Sequence, residues 1–148
     1  MVTLKKVDES NYRAVLALTT DDSQSDFVAS NAISLAQAWV FYDKARPFAI
    51  VNEETIVGFI MFDYLKEARE VEIWRLMIGT EFQGKGYGKQ ALVAAIELLK
   101  NENKFDRVQI NYVKENAGAK HLYQKLGFEE TGEMEGNEVV MKLTLASS

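Results

Sequence analysis

Apolar positions alternate between two periods along this chain, and the switches mark its elements. Thr3 to Val7 reads as a short first strand. Asp8, Glu9 and Ser10 offer an N-cap for a helix carrying Tyr12, Val15, Leu16 and Leu18. A polar loop over 20–26 precedes a second helical stretch at 27–42, capped at Ser30 or Asn31, with Phe27, Ile33, Leu35, Ala38, Trp39 and Tyr42 on its apolar faces. Then come three strand-like runs. Phe48 to Val51 follows the only proline, Pro47, and turns at Asn52-Glu53-Glu54 into Thr55 to Tyr64. In that return strand Val57, Phe59, Met61 and Asp63 fall on one side, and Ile56, Ile60 and Phe62 on the other. The third run is Val71 to Ile78. Leu92, Val93, Ile96 and Leu99 repeat at helical spacing, Arg107 to Val113 reads as a strand, and Ala117 to Leu126 as a helix capped by Asn116 and closed by Gly127. A last hairpin runs from Phe128 to Leu145 around Glu135-Gly136-Asn137. The predicted order is β-α-α-β-β-β-α-β-α-β-β. A helix between the third run and the next strand requires a parallel pair, so the expected fold is a layered α/β (α+β) domain with a mixed sheet.

The strand at 71–78 leads into Gln83-Gly84-Lys85-Gly86-Tyr87-Gly88, which opens directly into a helix. Backbone N–H groups converge at such a junction, the helix dipole adds positive partial charge, and alternate glycines remove the Cβ atoms that would hold a phosphate off the backbone. Lys85 and Lys89 add mobile charge. This is not a Walker loop, since Lys89 is followed by Gln90, and the glycine spacing does not fit a dinucleotide fingerprint.

Composition narrows the chemistry. A length of 148 residues favours a single domain spanning 1–148, and 47% hydrophobic residues suffice for a core. With no cysteine there is no thiolate nucleophile, so an acyl-enzyme through cysteine is excluded, and one histidine makes no multi-histidine metal site. No apolar run approaches the roughly 20 residues of a membrane span, and Met1 to Ser10 lacks a signal-peptide core, so a cytoplasmic protein is expected. Residues 1–82 hold 13 acidic against 8 basic side chains and residues 83–148 hold 9 of each, so the whole net charge of −5 precedes the glycine loop. The net charge argues against nucleic acid; its distribution would suit a cationic acceptor, though composition alone favours ordinary solubilising charge.

The pattern [Q/R]xxGxG at Gln83 to Gly88 resembles the coenzyme A loop of the GNAT superfamily of N-acetyltransferases. Asn116, Ala119, Leu122, Tyr123, Lys125, Gly127 and Phe128 resemble its second signature. Residues 27–38 together with IWRLMI at 73–78 are similar to the bacterial spermine/spermidine (diamine) acetyltransferase branch. The resemblance implies the GNAT fold, a mostly antiparallel sheet of about seven strands with about four helices. It also implies transfer of acetyl from acetyl-CoA to a primary amine in a ternary complex, without a metal. Gly79 and Trp74 stand where relatives commonly carry acidic residues, so catalytic roles on that strand do not carry over directly.

On this reading the backbone of Gly84 to Lys89 holds the pyrophosphate, Gln83 belongs to the same loop, main-chain groups of Leu76, Met77 and Ile78 run beside the pantetheine, and Asn116 orients the cofactor or caps its helix. The amine must lose a proton, to a carboxylate acting through water or to solvent. Glu72 is the first choice, with Trp74 and Leu76 expected on its face. Tyr123 matches the family position for the acid that protonates the leaving thiolate, while His121, two residues away, points elsewhere as an exposed helix residue. Asp26, Asn31, Gln37 and Trp39, between the first two helices, are the expected acceptor pocket, with a polyamine such as spermidine or spermine as acceptor. Two other readings share the motifs: acetylation of a protein N-terminus, lysine, amino acid or aminoglycoside, and a non-catalytic acyl-CoA-binding module. Many relatives are dimers, so a homodimer is expected, with no interface identified.

Overall fold

A computed structural model describes residues 1–20, 30–65 and 68–145. The described chain runs β1 (Val2–Lys6), α1 (Tyr12–Ala17), α2 (Asn31–Val40), β2 (Ala45–Asn52), β3 (Thr55–Leu65), β4 (Glu70–Ile78), a 3-10 turn (Thr80–Phe82), α3 (Tyr87–Glu102), β5 (Arg107–Val113), α4 (Ala117–Lys125), β6 (Glu129–Glu135) and β7 (Glu138–Thr144). The seven strands form one sheet in the order β1-β2-β3-β4-β5-β7-β6. Only β4 and β5 pair in parallel, across the α3 crossover; the other pairs are antiparallel. The element order expected from periodicity is thus the observed one.

Local chemistry explains the helix ends. Ser30 caps α2 by accepting from the Ile33 N–H at 3.1 Å. Helix α1 is different. Asp8 does not cap it, because its carboxylate accepts from Ser10 N–H and Oγ in a local turn. The helix starts after Asn11, with no side-chain cap.

Each sheet face carries its own core. One face packs Ile50, Ile60, Phe62, Val71, Ile73, Val108 and Ile110 against Leu92, Ile96 and Leu99 of α3 and against Tyr123 of α4. The other packs Ala49, Phe59, Met61 and Met77 against Val15 of α1 and Leu35 and Ala38 of α2.

Two one-residue irregularities change which side chains go where. On β3, Val57 is extra relative to β2, because Ile50 pairs with Gly58 and Val51 with Ile56. Val57 therefore packs in the α3 core and Ile56 against the α2 core, the reverse of simple alternation. On β4, Trp74 is extra, because Phe62 pairs with Ile73 and Met61 with Arg75. Trp74 shares the α2 side with Glu72 as expected, but Leu76 does not; it packs with Ile78 against the α3 core. Strict period two fails here because a bulge shifts the phase by one.

Gly58 sits where β3 and β4 approach closely. A Cβ there would lie 2.4 Å from the Met77 carbonyl oxygen.

Candidate active site

The parallel pairing of β4 and β5 covers only Glu70–Ile73 against Arg107–Ile110. Past that point both strands continue without pairing to each other, and the gap between them opens into a cavity of about 600 Å³. Trp74, Arg75 and Leu76 line one side, and Asn111, Tyr112 and Val113 the other. Backbone groups on the facing strand edges there lack a ladder partner, so they are available to a ligand.

Side chains reach the cavity from both sheet faces. Tyr123 comes from α4, on the α3 side, and is buried between Tyr112 and Phe128, with ring centroids 6.4 and 6.1 Å away. Burial, and secondarily the charge of Glu138, pushes its phenol up to about 12, so it is protonated at neutral pH and has a proton to donate. Asn116 lines the cavity and also caps α4, accepting from Ala119 N–H at 3.1 Å. The two roles weighed from sequence are geometrically compatible.

From the opposite face come carboxylates. Glu72 lies directly across from Asp63 on β3. Burial first, then the negative charges of Glu135, Asp63 and Glu138, raise its carboxyl to about 7, with Arg75 opposing. A carboxylate tuned this way is a better proton acceptor than an exposed one. Asp63 is also raised, chiefly by burial, and its Oδ1 is buried without a hydrogen-bond partner. Glu135 and Glu138, flanking the β6–β7 turn, are held by amides: Gln109 and Asn111 donate to Glu135 at 3.2 and 3.1 Å, and Asn111 donates to Glu138 at 3.2 Å. All four carboxylates line the cavity.

At the far end of β4 lies the glycine loop. Gly84 and Gly86 have φ of +80° and +84°, the left-handed region that L side chains rarely adopt. Gly86 is the N-cap of α3 and offers no side-chain acceptor, which leaves the first N–H groups of a 16-residue helix exposed at a dipole end. Gln83 braces the loop by donating to the Ile78 carbonyl at 2.9 Å. Tyr87 accepts from Asn52 at 3.0 Å and packs on the core; Gly88 faces Ile78; Lys85 and Lys89 are exposed.

The structure thus brings Glu72, Leu76, Asn116 and Tyr123 to one cavity and sets Gln83 to Lys89 at the end of the same strand. It does not gather the expected acceptor set. Asp26 lies outside the described residues. Asn31 is buried, donating to the Val15 carbonyl and Met77 Sδ, so its amide ties α2 to α1 and β4. Trp39 is 79% exposed beside Tyr42. Gln37 reaches the cavity only by accepting from Arg75, a lining residue, at 3.0 Å. His121 is exposed, as expected.

Sequence reasoning missed Asp63, Glu135 and Glu138 as neighbours of Glu72. A signal existed in two of the strands. Asp63 interrupts an apolar strand, and Gln109 and Asn111 alternate with Val108, Ile110 and Tyr112 in another. Glu135 and Glu138 look like ordinary turn flanks.

The family model described as Acetyltransferase (GNAT) family matches residues 10–128. The chain is 30% identical over 151 residues to a spermine/spermidine N(1)-acetyltransferase of Bacillus subtilis, covering 95% of this chain and 97% of that one. Among solved structures, a Vibrio cholerae spermidine N-acetyltransferase in complex with CoA and spermine matches with TM-score 0.79 at 18% identity, over 97% of this chain and 95% of that chain. An aminoglycoside acetyltransferase in complex with coenzyme A matches with TM-score 0.77 at 17% identity, again over 97% and 95%. At these identities the structural likeness concerns the fold.

Proposed function

Because the chain belongs to the GNAT family of acetyltransferases, we propose that it transfers acetyl from acetyl-CoA to a primary amine of an oligocationic acceptor, of the spermidine or spermine class. The observation that carries this reading is the set of four carboxylates, Asp63, Glu72, Glu135 and Glu138, on the cavity that Tyr123 enters from the other side of the sheet. Among the described residues no three carboxylate or histidine groups cluster tightly enough to hold one metal ion. The negative charge is spread along the cavity, which matches an extended chain of ammonium groups better than a point charge.

The chemistry follows from the residues. The N–H groups of Gly86 to Lys89 receive the pyrophosphate, and the edge of β4 beyond Ile73 receives the pantetheine. The acceptor approaches from the carboxylate side. A free alkylamine has a pKa near that of lysine, about 10, and must shed a proton before attacking. Glu72 takes that proton, directly or through one water. The amine nitrogen forms its bond to the thioester carbonyl carbon, the C–S bond breaks, the thiolate takes the Tyr123 phenolic proton, and the second proton shed by the nitrogen returns to the Tyr123 oxygen. The chain has no cysteine to carry the acetyl group, and the attack is taken to be direct, in a ternary complex, as the family resemblance implies. The four carboxylates are a physical counterpart in this chain to the activity for which the spermine/spermidine relative is named.

The test is thiol release from acetyl-CoA with spermidine, spermine, 1,4-diaminobutane, a lysine peptide and an aminoglycoside offered separately. Preferential turnover of the oligoamines is expected. Turnover confined to the peptide or the aminoglycoside overturns the acceptor assignment and keeps the acetyltransferase.

A further inference from the structure

Arg75 is a cation inside an acidic cavity, yet it forms no ion pair among the described residues. Its partners are neutral. Nη1 donates to the Trp74 carbonyl at 3.0 Å, Nη2 donates to Gln37 Oε1 at 3.0 Å, and the guanidinium lies 5.0 Å from the centre of the Trp74 ring. Its Nε is buried without a hydrogen-bond partner. Glu72 and Glu138 attract it through space without contacting it. A flexible, charged side chain beside carboxylates ordinarily closes on one of them. Here the Trp74 bulge turns Arg75 toward α2, and Gln37 on α2 pins it there.

We infer that Arg75 is a specificity-determining residue of the acceptor site: a fixed cation at the α2 end of the cavity that turns ammonium groups away from that end and directs the acceptor's second charge toward Glu135 and Glu138. This rests on the oligoamine reading of the same cavity. Like charges held in a poorly solvated space repel strongly, so a pinned guanidinium gives the cavity a direction. Gln37 has a separate part in this arrangement. It keeps Arg75 off the carboxylates, which stay open to the substrate.

The two side chains therefore predict shifts of opposite sign. In Arg75→Met the repelling end is gone, and the KM for spermine, measured relative to that for butylamine, falls about tenfold. In Gln37→Leu the guanidinium is released to pair with Glu72 or Glu138, and the same relative KM rises several-fold. Arg75→Lys keeps the charge but lacks the planar fork, and retains most of the wild-type preference. The experiment is a steady-state series with butylamine, 1,4-diaminobutane, spermidine and spermine on the four proteins, with melting temperature and acetyl-CoA affinity measured alongside. Opposite shifts in the Met and Leu variants support the assignment. An unchanged relative KM in Arg75→Met overturns it, as does an equal loss for all four amines with cofactor affinity intact, which would give Arg75 a role in the chemistry instead. If Arg75→Met does not fold, a fall or no change in Gln37→Leu, where a rise is required, overturns the inference. Failure of the wild type to use any oligoamine removes the underlying reading, whereas oligoamine turnover with unmoved ratios removes this inference alone.

Discussion

The two parts of the candidate site, the glycine loop and the carboxylate wall of the cavity, are built by different means. The glycine-loop end is backbone: N–H groups of one contiguous segment, shaped by the positive φ of Gly84 and Gly86 and aimed by α3. The carboxylate end is side chain: Asp63 from β3, Glu72 from β4, Glu135 from β6 and Glu138 from β7, brought together by the sheet order, the last two clamped by two amides of β5. A backbone site needs only a short run of sequence. A side-chain site assembled across strands needs the topology first.

The variants that separate these ends most sharply concern the proton transfers between them. Tyr123→Phe should lower kcat by roughly 10²-fold or more, with acetyl-CoA affinity nearly unchanged, by steady-state kinetics and calorimetric titration. An equal loss of affinity would move Tyr123 from the chemistry to the cofactor side. Glu72→Gln should lower kcat/KM by about 10²-fold at pH 8 and abolish an acid limb near pH 7 in the wild-type profile. Persistence of that limb in the variant would assign it to another group.

Stability should respond to the same residue with opposite benefit. Glu72 sits above its ordinary value of 4.5, so the folded state holds its proton more tightly than the unfolded state. Stability is then greatest below that ordinary value and is lost as pH rises through about 7. Glu72→Gln should therefore be more stable than wild type at pH 8, by on the order of 2 kcal/mol, and show little gain at pH 4. Denaturant melts at the two pH values read this directly.

The loop end should give smaller, cofactor-specific effects. Gly86→Ala places a Cβ in the left-handed region at a cost of about 1–2 kcal/mol, and the expected result is a roughly tenfold weaker acetyl-CoA affinity with unchanged acceptor preference. The smallest effect belongs to Glu135→Gln. It should raise the spermine KM by a few-fold at low salt and by less at high salt, since charge on this wall is partly exposed and screened. A salt-independent change would point to lost hydrogen bonds with Gln109 and Asn111 instead.

The same contrast explains what could be read from the chain. Gln83 to Gly88 and Asn116 to Phe128 are local, so the glycine loop and Tyr123 stand out, and the strong helical and strand periods give all seven strands and the four described helices. Glu72 was legible because it lies on the strand leading to the loop. Glu135 and Glu138 were not, because β7 inserts between β5 and β6 and only that order carries them to Glu72. The expected acceptor set failed on Asn31 and Trp39 for a simpler reason. Helical spacing says which residues share a face, but not whether that face is spent on packing, as with Asn31, or left to solvent, as with Trp39.

The extra residue at Trp74 has a consequence for how this strand can vary. Glu72 and Arg75 are three apart and face α2, while Ile73 and Leu76, also three apart, face α3. A ribbon with a two-residue beat thus carries, for a few positions, the three-residue rhythm of a helix. Removing Trp74 would restore the beat and leave the facing of everything that follows as it is, with Arg75 and Met77 toward α2 and Leu76 and Ile78 toward α3. Single substitutions can retune either side of β4 independently, and the bulge is the place where the strand could shorten by one residue without exchanging its apolar and polar sides along the stretch that borders the cavity.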